Sequence, residues 1–272
     1  MADSRGPGGR RKRERYLFPE HPVETERLDL QHYALREVVG NVVAPIESPR
    51  RVFDSCSGSG QWGFDLCAQY PNAVVVAVDR ENRRPGGPDS YLFVRANVLD
   101  GLSFQSDQFD YVHQRLALAG IPLEAWTPLV AELVRVARPG GWVELAEPNF
   151  AINQPGQATS RLLDLMKEMA VGSGLDSTGI VYKLLDGYLE QAGLLDVERR
   201  LYTLPLGTWG GRVGSLLGTN FRSAWQRLAE AFEARLGFSR LESHELINTA
   251  TQECEERRTT WSFAVAFGRK PG

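Results

Sequence analysis

Cysteine, histidine and methionine are all scarce in this 272-residue chain, and neither sign of charge dominates. The three cysteines, Cys56, Cys67 and Cys254, are too few and too scattered for a disulfide framework, which points to a reducing, cytoplasmic compartment. The four histidines, at 21, 32, 113 and 244, share no ligand spacing with the cysteines, so no metal centre is expected. A formal charge of −3 gives the whole molecule no electrostatic footprint for nucleic acid. The longest aliphatic run, Ala73 to Val78, is far too short to cross a bilayer, and no secretory leader core is expected. With 42% apolar and 24% charged residues, the chain fits one α/β domain with additions.

The first fifteen residues stand apart. Gly6-Pro7-Gly8-Gly9 runs into Arg10, Arg11, Lys12, Arg13 and Arg15, a segment with almost nothing to bury. It reads as a solvated, disordered tail or as a phosphate-seeking arm. From Glu26 to Val39, the spacing of Leu28, Leu30, Tyr33, Leu35, Val38 and Val39 predicts an amphipathic helix that stops at Gly40. Strand and helix signals then alternate. Strands are expected at 51–54, 73–78, 92–96, 109–113 and 142–145, with helices at 61–69 and 127–137. Ala73 to Val78 is an almost unbroken β-branched run, as in a strand covered on both faces. That rhythm predicts a parallel sheet with helices on both sides. After Pro148, helices are expected at 160–170, 180–192 and 221–236, and extended segments at 197–204 and 261–267.

The chemistry concentrates after the first strand. Val52-Phe53-Asp54-Ser55-Cys56-Ser57-Gly58-Ser59-Gly60 is a strand followed by a turn of small residues, and a helix begins near Gln61. Small residues let a ligand approach the backbone, and the helix start offers unpaired N–H groups. Asp79 ends the next strand at close to the ~20-residue separation expected between such a turn and an acid that binds ribose hydroxyls. Turn, helix, buried strand and acid together point to a nucleoside ligand.

The order of motifs resembles the class I S-adenosylmethionine-dependent methyltransferases. Val52, Phe53, Asp54, Gly58 and Gly60 match their first motif, and Asp79 is similar to the ribose acid of the second. Ala96-Asn97-Val98 resembles the segment beside the adenine. Phe109 to Arg115 resembles the fourth-strand motif, and Arg138-Pro139-Gly140-Gly141 the turn before strand five. Ahead of this core, Glu26 to His32 is similar to the opening helix of fungal and bacterial natural-product methyltransferases, the group related to regulators of secondary metabolism. Trp62 and Leu204 to Trp209 fit the same group. The resemblance implies a Rossmann-like, seven-stranded sheet with helices on both faces, an N-terminal helical cap over 16–49, a cofactor core over 50–150, and the rest of the sheet with a helical substrate lid over 151–272. It implies S-adenosyl-L-methionine as cofactor, held by Asp54, Cys56, Gly58, Gly60, Trp62, Asp79, Arg80, Asn97, Val98 and Gln114.

One position departs from the family. Cys56 stands where the first glycine belongs, so its side chain either crowds the methionyl end or occupies a backbone conformation that glycine takes more cheaply. A reactive thiol and an inert filler are further readings of it. His113, following strand four at the sheet's carboxyl edge, is the candidate base, with a structural role or a cofactor contact as the alternative. His32 and Arg27 are second choices for closing the site; His21 and His244 have no supporting context. Phe150, Met166, Met169, Trp209, Phe221 and Trp225 suit a small apolar or aromatic acceptor, or else simply form core. The fourth-strand exit lacks the Asn/Asp-Pro-Pro-aromatic clamp, so nucleic-acid bases are not expected as acceptors; a homodimer is compatible with the sequence. The expected activity is methyl transfer to a small natural-product-like molecule. The alternatives are a binding or regulatory protein on the same scaffold and a nicotinamide-dependent oxidoreductase.

Overall fold

The computed structural model describes residues 24–272. The basic segment at 1–15 and His21 lie outside the described residues.

One seven-stranded sheet organises the chain, in the order β3-β2-β1-β4-β5-β7-β6. Strands β1 (Arg51–Ser55), β2 (Val74–Asp79), β3 (Tyr91–Arg95), β4 (Phe109–Arg115) and β5 (Ala137–Asn153) run parallel. Strands β6 (Leu195–Pro205) and β7 (Thr260–Arg269) complete it, with β7 antiparallel to both β5 and β6. The β-branched run of β2 behaves as its composition requires: Val75 to Val78 are all buried, covered on both faces. Because β1 pairs with β2 on one side and β4 on the other, the connections leaving β1 and β4 diverge. That divergence opens a crevice at the carboxyl edge of the sheet.

Helices α1 (Glu24–Val38), α2 (Gln61–Gln69), α3 (Trp126–Val136), α4 (Gln157–Gly172), α5 (Ile180–Lys183), α6 (Leu185–Gln191), α7 (Gly211–Leu236) and α8 (Arg240–Glu256) cover the sheet. On one face, Trp126, Leu129, Val130 and Leu133 of α3 pack with Leu185 and Leu189 of α6 against Phe109, Val112 and Val143. A second cluster joins Leu35 of α1 to Leu162 of α4, Trp225 and Phe232 of α7, Ile247 of α8 and Phe263 of β7.

Several elements differ from the sequence reading. β5 extends to Asn153, with a register break after Pro148 that carries its end to Trp261 and Thr260 of β7. The 180–192 segment is two short helices meeting at Leu184. α7 starts ten residues early, at Gly211. α8 went unpredicted because Ile247 is the single large apolar residue of its inward face, the others being Ser243, Ala250 and Cys254; its start is nevertheless signalled by a Ser239–Glu242 capping box.

The largest correction concerns α1. Its inward face carries Glu24, Arg27, Gln31 and His32 beside Ala34 and Leu35, while Val38 is exposed. Buried polar groups on a helix need matching partners elsewhere in the fold, and α1 has them. Arg27 donates to Glu24 at 2.8 and 2.9 Å and to Asn220 of α7 at 2.8 Å, and Arg227 of α7 also pairs with Glu24.

Candidate active site

The turn after β1 is held from beneath by the neighbouring strand. Ser57 N–H donates to Val78 O at 3.1 Å, Gly58 N–H to the Asp79 carboxylate at 2.9 Å, and Gly60 N–H to Ser57 O at 3.0 Å. Left-handed conformations alternate along it, with φ of 57° at Cys56, 59° at Gly58 and 78° at Gly60. At Gly60, which precedes α2, a Cβ would lie 2.7 Å from the Tyr91 hydroxyl, so glycine is required there on two counts. Cys56 occupies the same backbone region with a side chain, in a conformation that glycine takes more cheaply.

A cavity of about 590 Å³ opens above this turn. Of the ten sequence-predicted cofactor residues, Asp54, Cys56, Gly58, Trp62, Asp79, Arg80, Asn97 and Val98 line it, as does His113. Gly60 and Gln114 do not. Gly60 ends the turn, and buried Gln114 accepts the Ser55 hydroxyl at 2.9 Å, steadying the turn from below.

Asp79 accepts Gly58 N–H and Glu81 N–H on separate oxygens, at 2.9 and 3.1 Å. Burial raises its carboxyl above the usual range despite those bonds. Asn97 accepts Leu99 N–H at 3.2 Å and caps the short turn over Val98–Asp100, leaving its amide nitrogen to the cavity. Cys56 is no reactive thiol: burial and the nearby Asp79 carboxylate push its pKa up.

His113 is fully enclosed. Its Nδ1 lies 3.0 Å from Asp54 Oδ1, and its ring stacks on Trp62 at 3.7 Å and 7°. Burial lowers the imidazole to about 3 and raises the Asp54 carboxyl to about 8. Burial thus favours the neutral imidazole, held between Asp54 and Trp62. Asp54 Oδ2 is buried without a hydrogen-bond partner among the described residues, although Asp54 lines the cavity. A buried carboxyl oxygen without a partner, on a residue that lines a nucleoside-sized space, fits a ligand that carries a donor.

α1 roofs the cavity with Leu28, Gln31 and His32. Arg115 donates to His32 Nδ1 at 2.9 Å, so His32 donates from Nε2 to Asp65, also at 2.9 Å. Burial and the Arg115 charge depress His32 to about 4. Arg36 meets the same Asp65, and Arg84 meets Asp29. His32 and Arg27 thus hold the roof in place, while His244 is exposed on α8.

A second chamber, of about 130 Å³, adjoins the first through Leu28, Gln31 and Leu116, which line both. Phe150, Met166, Phe221 and Trp225 line it; Met169 is buried in the neighbouring core, and Trp209 does not reach it. Sequence reasoning missed Glu147 here, a fully buried carboxyl at the sheet's carboxyl edge. Its signal was available: a second acid, after Glu144, followed directly by proline at the end of the strand.

Residues 52–141 match a family described as methyltransferase domain. A methyltransferase of Strobilurus tenacellus, str3, is 30% identical over 201 residues, 70% of each chain. The N-methyltransferase sirN of Leptosphaeria maculans is 24% identical over 271 residues, 94% of this chain and 95% of that one. Among solved structures, phosphoethanolamine N-methyltransferase 2 of Haemonchus contortus, in complex with phosphomonomethylethanolamine and S-adenosylhomocysteine, superposes with a TM-score of 0.51 at 14% identity. That match covers 91% of this chain and 52% of the other, so the chain spans about half its length.

Proposed function

Since the chain belongs to the class I S-adenosylmethionine-dependent methyltransferases of the natural-product group, we propose that it methylates a small, apolar or aromatic acceptor seated in the chamber beside the cofactor cavity. The observation that carries this reading is the pairing of two connected spaces, one lined by the motif residues and one lined by aromatic and aliphatic side chains.

When bound, the cofactor supplies an already activated methyl group on a sulfonium. The protein's part is then to hold and align. Asp79, fixed by two backbone N–H groups, keeps lone pairs for the ribose hydroxyls. Val98 offers an apolar wall and Asn97 an amide edge to the adenine base, while Arg80 sits at the cavity's rim. Gly58 and Cys56 bring backbone close to the methionyl arm, and the orphaned Asp54 oxygen receives that arm's ammonium. Trp62 and His113 form a rigid wall beneath it. α1 excludes water from above, held by Arg115, Asp65 and Asn220.

A purely binding or regulatory role is not favoured: Cys56 accommodates the turn's conformation, and the relatives are named as methyltransferases. Calorimetric titration with S-adenosylhomocysteine tests the cofactor assignment. One site per chain is expected, and Asp79→Asn weakens it roughly 10- to 100-fold, the effect of removing hydrogen bonds to a charged acceptor. Wild-type affinity in Asp79→Asn would overturn the ribose assignment.

A further inference from the structure

Glu147 occupies the seam between the two chambers. Its carboxyl accepts Ala117 N–H at 2.7 Å and Leu118 N–H at 3.2 Å; Ala117 lines the cofactor cavity and Leu118 the smaller one. The chamber walls beside it are otherwise mostly apolar, and 130 Å³ is about the space that encloses one benzene ring. The charged groups around it are committed elsewhere. Asp176, ahead of α5, accepts Thr178, Gly179 and Val181 N–H groups; Arg27 of α1 donates to Glu24 and Asn220; Arg115 of β4 donates to His32; the Cys56 thiol is protonated.

We propose that Glu147 is the acceptor-recognising residue, and that it selects a ring-bearing amine by taking the nitrogen's proton. The inference rests on the larger cavity being the cofactor site. An ammonium entering the chamber meets a carboxyl that keeps free lone pairs beyond its two backbone bonds. The proton moves from nitrogen to a carboxylate oxygen, which frees the nitrogen lone pair to attack; nothing is oxidised or reduced. Burial, with Asp176 nearby, holds the empty site's carboxyl up at about 8. At neutral pH, the carboxyl and the incoming amine therefore bring two protons, and the complex keeps one. Amine binding releases a proton.

The test uses the full chain saturated with S-adenosylhomocysteine and two probes of equal shape, N-methylbenzylamine and benzyl methyl ether. The amine is expected to bind at least tenfold more tightly at pH 8, with the preference falling about fivefold at pH 7, given a carboxyl near 8. Calorimetry in buffers of different ionisation enthalpy should show close to one proton released per amine at pH 7. Glu147→Gln abolishes the preference and leaves ether affinity within about twofold. Equal binding of the two probes, uptake of neither, or a preference that survives in Glu147→Gln overturns the proposal. Should that variant fail to fold, the wild-type proton count decides, and zero release overturns it. Absence of S-adenosylhomocysteine binding overturns the cofactor assignment as well, whereas intact cofactor binding with indifferent probes overturns this inference alone.

Discussion

Cys56 allows the backbone and the side chain of the cofactor turn to be separated by experiment. Its φ of 57° lies where an L-residue pays roughly 1–2 kcal/mol that glycine does not. Replacing Cys56 by alanine removes the thiol and keeps the Cβ; replacing it by glycine removes both. The difference between the two variants therefore isolates the backbone. Glycine gives back about 0.4–1 kcal/mol through the greater freedom of its unfolded chain. The balance favours Cys56→Gly over Cys56→Ala by about 0.5–1 kcal/mol, or about 1–3 °C in Tm for a chain of this size. Scanning calorimetry of the two variants measures it. At an ordinary helix or strand position the order reverses, with alanine ahead by about 0.5–1 kcal/mol. Alanine emerging as the more stable would refute the left-handed assignment. The same pair of proteins reports on crowding. If the Cβ intrudes on the methionyl arm, only Cys56→Gly gains affinity for S-adenosylhomocysteine.

Other consequences follow from the buried charges. Glu24→Gln removes the carboxylate that Arg27 and Arg227 share and should destabilise the protein by more than about 1 kcal/mol, read by urea denaturation; a smaller change would speak against α1's anchorage through Glu24. His32 and His113, held near 4 and 3, contribute stability that is present above pH 6.5 and is lost progressively as pH falls from there toward those folded values. Asp54 and Glu147, protonated in the folded chain up to about 8, contribute stability that is present in acid and lost as pH rises toward 8. Between pH 6.5 and 8 only the carboxyls act, so Tm of the ligand-free protein should fall there, and Glu147→Gln should flatten the fall. A Tm that rises across this window would contradict the burial of both acids.

The parallel half of the sheet was legible in the sequence because its strands are hydrophobic on both faces and punctuated by Gly60, Pro71 and Pro139. The cofactor turn was legible for a different reason: its glycines and Asp79 are fixed by backbone geometry, which leaves a strict spacing in the chain. The roof and the smaller chamber were harder to read. α1 buries Arg27 and His32 against partners on β4, α2 and α7 that are distant in sequence, so hydrophobic periodicity finds Leu35 but misses the buried polar groups beside it. His113 looked titratable until Trp62 and Asp54 were seen to enclose it. Glu147 reads as one of two acids, with Glu144, in β5, and only the pairing of β4 with β5 brings it beside the chambers.

The most direct test is a crystal structure grown with S-adenosylhomocysteine. The ribose hydroxyls should lie within about 3 Å of the Asp79 carboxylate, with the adenine against Asn97 and Val98 and the sulfur facing the opening between Leu28, Gln31 and Leu116. Density for the ligand anywhere else, or a cavity blocked by the Cys56 side chain, would contradict the assignment of these two spaces.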